Sequence, residues 1–283
     1  MVSVTHTQRW AQQSPRWRPA YEGGFDPNRY QVMELDEPAT AAFIAAHHYA
    51  PALPSTTYRY GMLDHAGTGP RLVGVATLGV PMHKSVLTTV FPTLVPYYEA
   101  LDFNRLVLLD QVPSNGESWF CGQMLRHAAA QHGVRGVVTF ADPVPRWRIR
   151  SGRHELIKPG HVGIVYQALG FDALGRSTPR SLILLPDATA LTARSVAKVT
   201  GGERGAGGVI ARLMAFGAPP PEPGCDVRVW LDIALRCVGA RRIRHPGNHR
   251  YAVRIGTRAQ RTRTVIALPA RAYPKPQPEL AVA

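Results

Sequence analysis

The chain has 283 residues and a formal net charge of +14, with 33 Lys and Arg residues against 19 Asp and Glu residues. This length suffices for one large or two small domains with a hydrophobic core. No apolar run approaches the roughly 18 residues of a membrane span. Residues 1–10 lack the apolar stretch of a signal peptide, and the three cysteines form no C-x-x-C pair, so we predict a cytoplasmic protein with reduced thiols.

Residues 1–28 show no sustained periodicity and are predicted to form an arm. The rest of the first half of the chain is predicted to form alternating strands and helices. Helices are predicted over residues 38–48 and 115–132, and Ser114 and Glu117 fit a capping box at the start of the second helix. Strands are predicted over residues 31–35, 58–63, 72–78, 103–112 and 136–141.

The second half predicts a basic loop at Arg146–Pro159, a short helix or strand through Tyr166, and a glycine-rich hinge at Gly201–Gly208. Further helices are predicted over residues 206–216 and 229–238, and strands over residues 181–186, 250–255 and 263–268, the last two as a hairpin. These patterns predict four regions in chain order: a flexible arm, 1–28; a catalytic domain, 29–200; a basic C-terminal extension, 201–275; and a tail, 276–283.

The positive charge is concentrated in the C-terminal part of the chain. Residues 1–100 carry seven basic and seven acidic residues, whereas residues 236–275 carry 11 basic residues and no acidic one. A GC-rich genome would explain the choice of Arg over Lys but not the absence of acids. Because a field of one sign attracts a polyanion, the segment predicts binding to double-stranded DNA, with candidate phosphate contacts at Arg241, Arg242, Arg244, Arg250 and Arg254.

Polar residues that could carry chemistry lie at the ends of the predicted elements. His48 and Tyr49 end the first helix, Arg105 lies in a strand, Ser118 lies in the helix after it, and Asp142 follows the buried strand. Tyr166 follows the Gly160-His161 segment. A carboxylate at the C-terminal end of a strand points into the crevice where α/β proteins bind ligands. Two histidines and one carboxylate, here His48, His161 and Asp142, suit a divalent metal such as Fe(II).

This pattern resembles the phage Mom family, acetyltransferase-like proteins that hypermodify adenine in phage DNA and protect it from restriction. The resemblance covers roughly residues 30–275. It implies an α/β fold of the GNAT type, with a mixed central sheet and flanking helices, followed here by a basic helical and β extension. In that fold the sheet splays to admit the pantetheine arm of acyl-CoA.

The resemblance also implies site roles and a reaction. Donor binding falls to Arg105, Ser118 and Gly116, the last at a helix N-terminus suited to a pyrophosphate, and catalysis to the four residues His48, Tyr49, Asp142 and Tyr166. The implied reaction converts adenine N6 to a carbamoylmethyl-type derivative, with acetyl-CoA or a related donor and with iron.

Two other functions fit the same residues. An ordinary acyl-CoA N-acetyltransferase acting on an amine or a protein would bind CoA without depending on DNA. A non-catalytic DNA-binding phage protein would keep its function after loss of the polar residues. The sequence leaves the oligomeric state open.

Overall fold

The computed structural model of the protein describes residues 6–12, 14–19, 21–48, 50–150, 153–158 and 160–275. The chain forms two compact units. The first takes in the residues up to Pro143, His161–Ser177 and the chain from Asn248 onward, and the second takes in Val144–Gly160 and Thr178–Gly247. The structure therefore divides the chain differently from the predicted boundary at residue 200, because the chain leaves the first unit twice and returns to it.

Nine strands and five helices are described in the first unit, numbered by their order in the whole chain. The strands are β1 His6–Ala11, β2 Ser14–Pro19, β3 Tyr30–Glu34, β4 Thr56–Asp64, β5 Arg71–Gly79, β6 Ala100–Leu108, β7 Gly136–Ala141, β10 Asp172–Arg176 and β14 His249–Arg254. The helices are α1 Glu37–His47, α2 Ser85–Thr88, α3 Gly116–Gln131, α4 Ile164–Ala168 and α8 Arg258–Arg263.

A seven-stranded mixed sheet organises the first unit, in the order β10-β14-β7-β6-β5-β4-β3. Neighbouring strands run antiparallel except β6 and β7, which are parallel. The succession of strands and helices from β3 to β10 confirms the predicted GNAT-like α/β class with helices flanking a mixed sheet. The strands predicted at residues 31–35, 58–63, 72–78 and 136–141 are confirmed as β3, β4, β5 and β7.

Helices cover both faces of this sheet. In one buried cluster, Phe120 and Met124 of α3 join Ala76 of β5. In another, Ile44 of α1 packs with Val75 of β5. Since consecutive residues of a strand point to opposite faces, α3 and α1 lie on opposite sides of the sheet.

Two terminal predictions are wrong. The arm predicted to be flexible contains an antiparallel hairpin of β1 and β2. The hairpin predicted near the C-terminus does not form, because β14 lies between β7 and β10 in the central sheet. Residues 258–263 are helical instead, and Thr257 and Gln260 form a capping box at the start of that helix.

The second unit contains strands β8 Arg146–Arg150, β9 Arg153–Lys158, β11 Arg180–Leu184, β12 Ala190–Leu191 and β13 Arg241–His245, and helices α5 Ala193–Thr200, α6 Ala206–Ala215 and α7 Val227–Cys237. The predicted basic loop is wrong, because β8 and β9 pair as antiparallel strands. The two predicted helices are confirmed as α6 and α7, which bury Leu213, Trp230 and Leu231 in one core.

Among the described residues, no helix has both the length and the apolar character that crossing a membrane requires.

Candidate active site at the opening between two parallel strands

The parallel strands β6 and β7 pair over only part of their length. Ala100 to Phe103 of β6 pair with Gly136 to Thr139 of β7. Beyond Phe103, β6 continues to Leu108 beside β5 and its pairing with β7 has ended, while the end of β7 pairs with β14. Just after β6 ends, Leu109 forms an isolated parallel bridge with Trp10 of β1. The predicted splay of the sheet is therefore present as an opening beside Asn104–Leu108.

A β-bulge at Asn104 starts this opening. Arg105 pairs with Thr77 and Phe103 pairs with Leu78, so Asn104 has no opposite residue on β5. Its side chain accepts a hydrogen bond from Thr77 Oγ1 at 2.6 Å and donates one to the carbonyl of Ser55 at 3.1 Å. A bulge bends its strand and increases its twist, which explains why β6 turns away from β7 here.

Tyr166 of α4 fills the base of the opening. Its side chain is buried, and its ring lies edge-on to Phe103, with centroids 5.9 Å apart. Its hydroxyl is hydrogen-bonded to the side chain of Thr139, whose Oγ1 donates to the carbonyl of Phe103 at 2.9 Å. Burial raises the pKa of Tyr166, so the phenol keeps its proton at neutral pH and can act as a proton donor.

The turn before α4 fixes the position of Tyr166. Gly163 adopts φ +76°, and a Cβ there would lie 2.8 Å from Tyr166, 2.9 Å from Tyr251 and 3.2 Å from Ala141. Only glycine meets both the backbone angle and this close packing. Gln167 Nε2 then donates to Tyr251 Oη at 3.2 Å. The sequence pattern indicated Tyr166 as a site residue, and the structure shows that it is held rigidly.

Asp142 and His161 come together at the end of β7. The carbonyl of Asp142 accepts a hydrogen bond from the backbone N–H of His161 at 2.9 Å. The Asp142 side chain is buried, whereas His161 is exposed. The two residues are separated by 18 residues in the sequence, nearly all of which belong to the second unit. They are nevertheless adjacent in space, because the chain returns to the first unit at His161.

His48 lies at the C-terminal end of α1 and is buried. Its Nδ1 accepts a hydrogen bond from the backbone N–H of Ala50 at 3.1 Å, and its ring centroid lies 5.1 Å from that of Trp10. Tyr49 lies outside the described residues.

The predicted metal triad of His48, Asp142 and His161 does not assemble. Across the part of the chain that the structure describes, three or more potential ligand atoms lie within 4.8 Å of one another only in a different group, Glu34, His127 and His132. The reason is topological, since α1 contacts β4 and β5. Asp142 follows β7, two strands farther along the sheet.

The predicted donor-binding residues have structural partners of their own. Gly116 is buried as the first residue of α3, and a Cβ there would lie 2.4 Å from Val112. Ser118 Oγ donates to the carbonyl of Asn115 at 3.1 Å. Arg105 Nη2 donates to the carbonyl of Ala52 at 3.1 Å. Gly116 and Ser118 nevertheless lie in the first helical turn, whose backbone N–H groups lack intrahelical acceptors and favour an anion.

An unpredicted arginine holds the loop between β6 and α3. Arg9 of β1 is fully buried; its Nε donates to the carbonyl of Val112 at 2.9 Å, and its Nη2 donates to the carbonyl of Pro113 at 2.7 Å. Its Nη1 forms an ion pair with Glu117. Burial is the main cause that lowers the pKa of Arg9 to about 10, which leaves it charged at neutral pH.

The ion pair corrects one expectation from the sequence. The capping box is wrong, because Ser114 Oγ donates to the carbonyl of Pro19 at 2.6 Å and Glu117 is paired with Arg9. The N-cap of α3 is Asn115, at φ +75° and without a side-chain cap. A glutamate at this turn would by itself repel a diphosphate, but Arg9 compensates its charge.

Asp102 is a carboxylate inside the central sheet that the sequence patterns did not indicate. It lies on β6 opposite Val138, inside the parallel pair. Burial raises its pKa to about 7, and its Oδ1 is buried without a hydrogen-bond partner among the described residues. Its charge also contributes to the raised pKa of Tyr166. A carboxylate between Leu101 and Phe103 in an apolar strand was the available signal.

The predicted DNA-binding arginines fall into two groups. Arg241, Arg242 and Arg244 are exposed on β13 of the second unit. Arg250 and Arg254 lie on β14 of the first unit. Arg250 is partly buried with its guanidinium 6.0 Å from the Phe140 ring centroid, and burial lowers its pKa.

Arg254 borders a cavity of about 560 Å³ in the first unit. Its Nη2 lies 3.3 Å from Asp172 Oδ2. The same cavity is lined by three further arginines, Arg126, Arg258 and Arg261, which makes it strongly positive.

Comparison with known proteins gives one family. A family model described as the Mom protein family matches residues 29–207. This range contains the predicted catalytic and donor-binding residues and ends before Arg241. No curated protein matches the chain.

Two solved structures are similar at low identity. A spermidine N-acetyltransferase mutant from Vibrio cholerae is 8% identical over 54% of this chain and 86% of that chain, with a TM-score of 0.32. A tandem GNAT protein from the clavulanic acid biosynthesis pathway, solved without acetyl-CoA, is 13% identical over 64% of this chain and 62% of that chain, with a TM-score of 0.33.

Proposed function

The chain belongs to the Mom protein family, and from this premise we propose that it is a transferase acting on DNA. Its substrate is the exocyclic N6 amine of adenine in double-stranded DNA, and its product is a carbamoylmethyl-type derivative that protects phage DNA from restriction. The observation that carries the proposal is the opening between β6 and β7, with the buried phenol of Tyr166 at its base.

The donor, acetyl-CoA or a related activated two-carbon compound, binds in this opening. The segment of β6 from Asn104 to Leu108, where the pairing with β7 has ended, offers backbone donors and acceptors. The amides of a pantetheine arm can pair with such a segment as an added strand does. The pyrophosphate lies at the first turn of α3, near Gly116 and Ser118, where the helix N-terminus favours an anion. Arg9 supports this assignment by compensating the charge of Glu117.

The chemical step needs a base and an acid. If acetyl-CoA is the donor, N6 attacks the thioester carbonyl carbon, one N6 proton leaves and the CoA thiol departs, which gives an N6-acetyl group. The carbamoylmethyl product instead requires a related two-carbon donor that already contains the amide nitrogen and carries its leaving group on the methylene carbon, so that this group departs as the N6–C bond forms and one N6 proton leaves. We assign the N6 proton to Asp142, the buried carboxylate at the end of β7, because a carboxylate at the C-terminal end of a strand faces the crevice where α/β proteins bind ligands. Tyr166, protonated at neutral pH, supplies the proton that the leaving group takes. Asp142 and His161, joined at the end of β7, line the side where the target base enters.

DNA binding is assigned to the exposed Arg241, Arg242 and Arg244, which can contact phosphates. The N6 amine is engaged in base pairing, so the adenine must be flipped out of the duplex. The burial of Tyr166 removes it as a stacking surface for that base, and it serves as the acid instead.

A restriction assay tests this function. Plasmid DNA from cells that express the protein should resist endonucleases whose sites contain adenine and remain cleavable at sites that lack adenine. Tyr166→Phe should restore cleavage. Full cleavage at every site, with folded wild-type protein present in the cells, would contradict the proposal and favour an N-acetyltransferase that acts on another amine.

A further inference from the structure

We propose that Glu34, His127 and His132 form a binding site for a divalent transition-metal ion, outside the opening between β6 and β7. One ligand atom from each residue lies within 4.8 Å of the others. Two imidazoles and one carboxylate suit Zn²⁺, Co²⁺ or Fe²⁺ and leave coordination positions open for water.

The separations between these atoms fit one ion. Glu34 Oε1 lies 3.4 Å from His127 Nδ1 and also contacts His132 Nε2. Ligands at about 2.1 Å from a tetrahedral ion are about 3.4 Å apart. An ion at the centre of the group would replace the direct contacts of Glu34 with the two rings by three metal–ligand bonds.

The fold brings the two histidines together at an unusual spacing. His127 lies in the last turns of α3, and His132 is its C-cap, with φ −115° and ψ 1°. Residues five apart on a regular helix point away from each other. Here the helix ends at Gln131, and Gly133 follows with φ +70°, so the His132 ring turns back toward Glu34 at the end of β3. The five-residue spacing of the two histidines is therefore not one of the metal-binding motifs that can be recognised in a sequence.

Two tyrosines of β4 orient the imidazoles. The Tyr58 ring stacks on the His132 ring with centroids 3.9 Å apart and planes 12° apart. The Tyr60 ring meets His127 edge-on at 5.5 Å. Rings held in this way lose little freedom when they bind an ion.

An ion can reach the three residues from solvent, and two polar atoms in or beside the group lack hydrogen bonds among the described residues. Glu34 and His127 are exposed over 44% and 36% of their side chains, so an ion can reach them. The Tyr60 hydroxyl is buried with no hydrogen-bond partner among the described residues. The His127 Nδ1 atom also lacks a hydrogen bond of good geometry within that part of the chain, which is expected of a ligand atom whose metal is its partner.

Metal binding to the full chain tests the proposal. Chelator-treated protein should bind one equivalent of Co²⁺ with the visible absorption of a low-symmetry nitrogen and oxygen site, and Zn²⁺ should displace it. Each of His127→Ala, His132→Ala and Glu34→Gln should weaken binding by at least about tenfold, since loss of even an outer-shell partner typically weakens metal affinity by 10–100-fold.

His83→Ala, which changes an exposed histidine elsewhere, should leave the Co²⁺ affinity unchanged. His48→Ala and His161→Ala should also leave it unchanged, so the readout is independent of DNA modification. Absence of stoichiometric Co²⁺ binding, or binding that is unaffected by His127→Ala and His132→Ala in folded protein, would overturn the proposal. Circular dichroism of each variant establishes that it is folded.

Discussion

The guanidinium of Arg9 is buried against the carboxylate of Glu117 in the first turn of α3. The two residues are 108 positions apart in the sequence. Their ion pair, with the bonds from Arg9 to the carbonyls of Val112 and Pro113, ties the N-terminal hairpin to the loop that leads into the first turn of α3, where we place the donor's pyrophosphate.

We expect Arg9→Met to lower the free energy of unfolding by about 3–5 kcal/mol, because it leaves Glu117 without its buried partner. Arg16→Ala, on the exposed side of the same hairpin, should change it by less than about 0.5 kcal/mol. Urea unfolding measures both. Equal stability of the two variants would show that the ion pair contributes nothing to the fold.

Asp102 should make stability depend on pH in the direction opposite to most carboxylates. Its pKa is about 7 in the folded protein against an ordinary value of 3.8. The folded state therefore holds more protons between these values, and stability falls as the pH rises toward 7. The stability advantage of Asp102→Asn over wild type should grow by roughly 3 kcal/mol from pH 5 to pH 8.

Denaturant titration of both proteins at pH 5 and pH 8 tests this. An advantage that is equal at both pH values would mean that the Asp102 carboxyl is not held protonated by burial.

Tyr166→Phe removes one hydroxyl and keeps the ring against Phe103. We expect a stability loss of about 1 kcal/mol, from the missing hydrogen bond to Thr139. The rate of modification should fall by about 10²–10⁴-fold, the usual contribution of a general acid. Tyr98→Phe, at an exposed tyrosine, should match wild type in single-turnover rate. A Tyr166→Phe rate within a factor of two of wild type would remove the proton-donor role.

Binding to duplex DNA should weaken steeply with salt. Replacing Arg241, Arg242 and Arg244 by Ala should flatten the plot of log affinity against log salt by about 0.9 for each phosphate that the variant no longer neutralises. A triple variant with the same charge change at the exposed Arg194, Arg204 and Arg228 should keep the wild-type slope. Fluorescence anisotropy at several salt concentrations distinguishes the two, and equal slopes would mean that β13 does not bind phosphates.

The sequence predicted the central sheet well because its strands carry their own signal. β7, for example, is an apolar run with clear ends, and its predicted bounds of 136–141 match the structure. The prediction of a C-terminal hairpin failed because β14 finds its partner in β7, more than 100 residues away, and periodicity does not identify a distant partner.

Part of the site was predicted from the sequence because some of its residues lie close together along the chain. Asp142, His161 and Tyr166 follow one strand and stay close to its end, so chain order located them. Arg9 is buried by contacts with residues more than 100 positions away, which no local pattern indicates. The side chains of the predicted metal triad have the right chemistry to bind an ion. The prediction failed because the topology places His48 and Asp142 over different strands.

Mass spectrometry of nucleosides tests the central claim most directly. DNA from cells expressing wild-type protein, Asp142→Asn or Tyr166→Phe is digested to nucleosides, and each preparation is compared with DNA from cells without the protein. We predict a new deoxyadenosine derivative with the mass of a carbamoylmethyl adduct in the wild-type sample, and its loss or strong reduction in both variants. Unmodified deoxyadenosine throughout, with folded wild-type protein in the cells, would contradict the account.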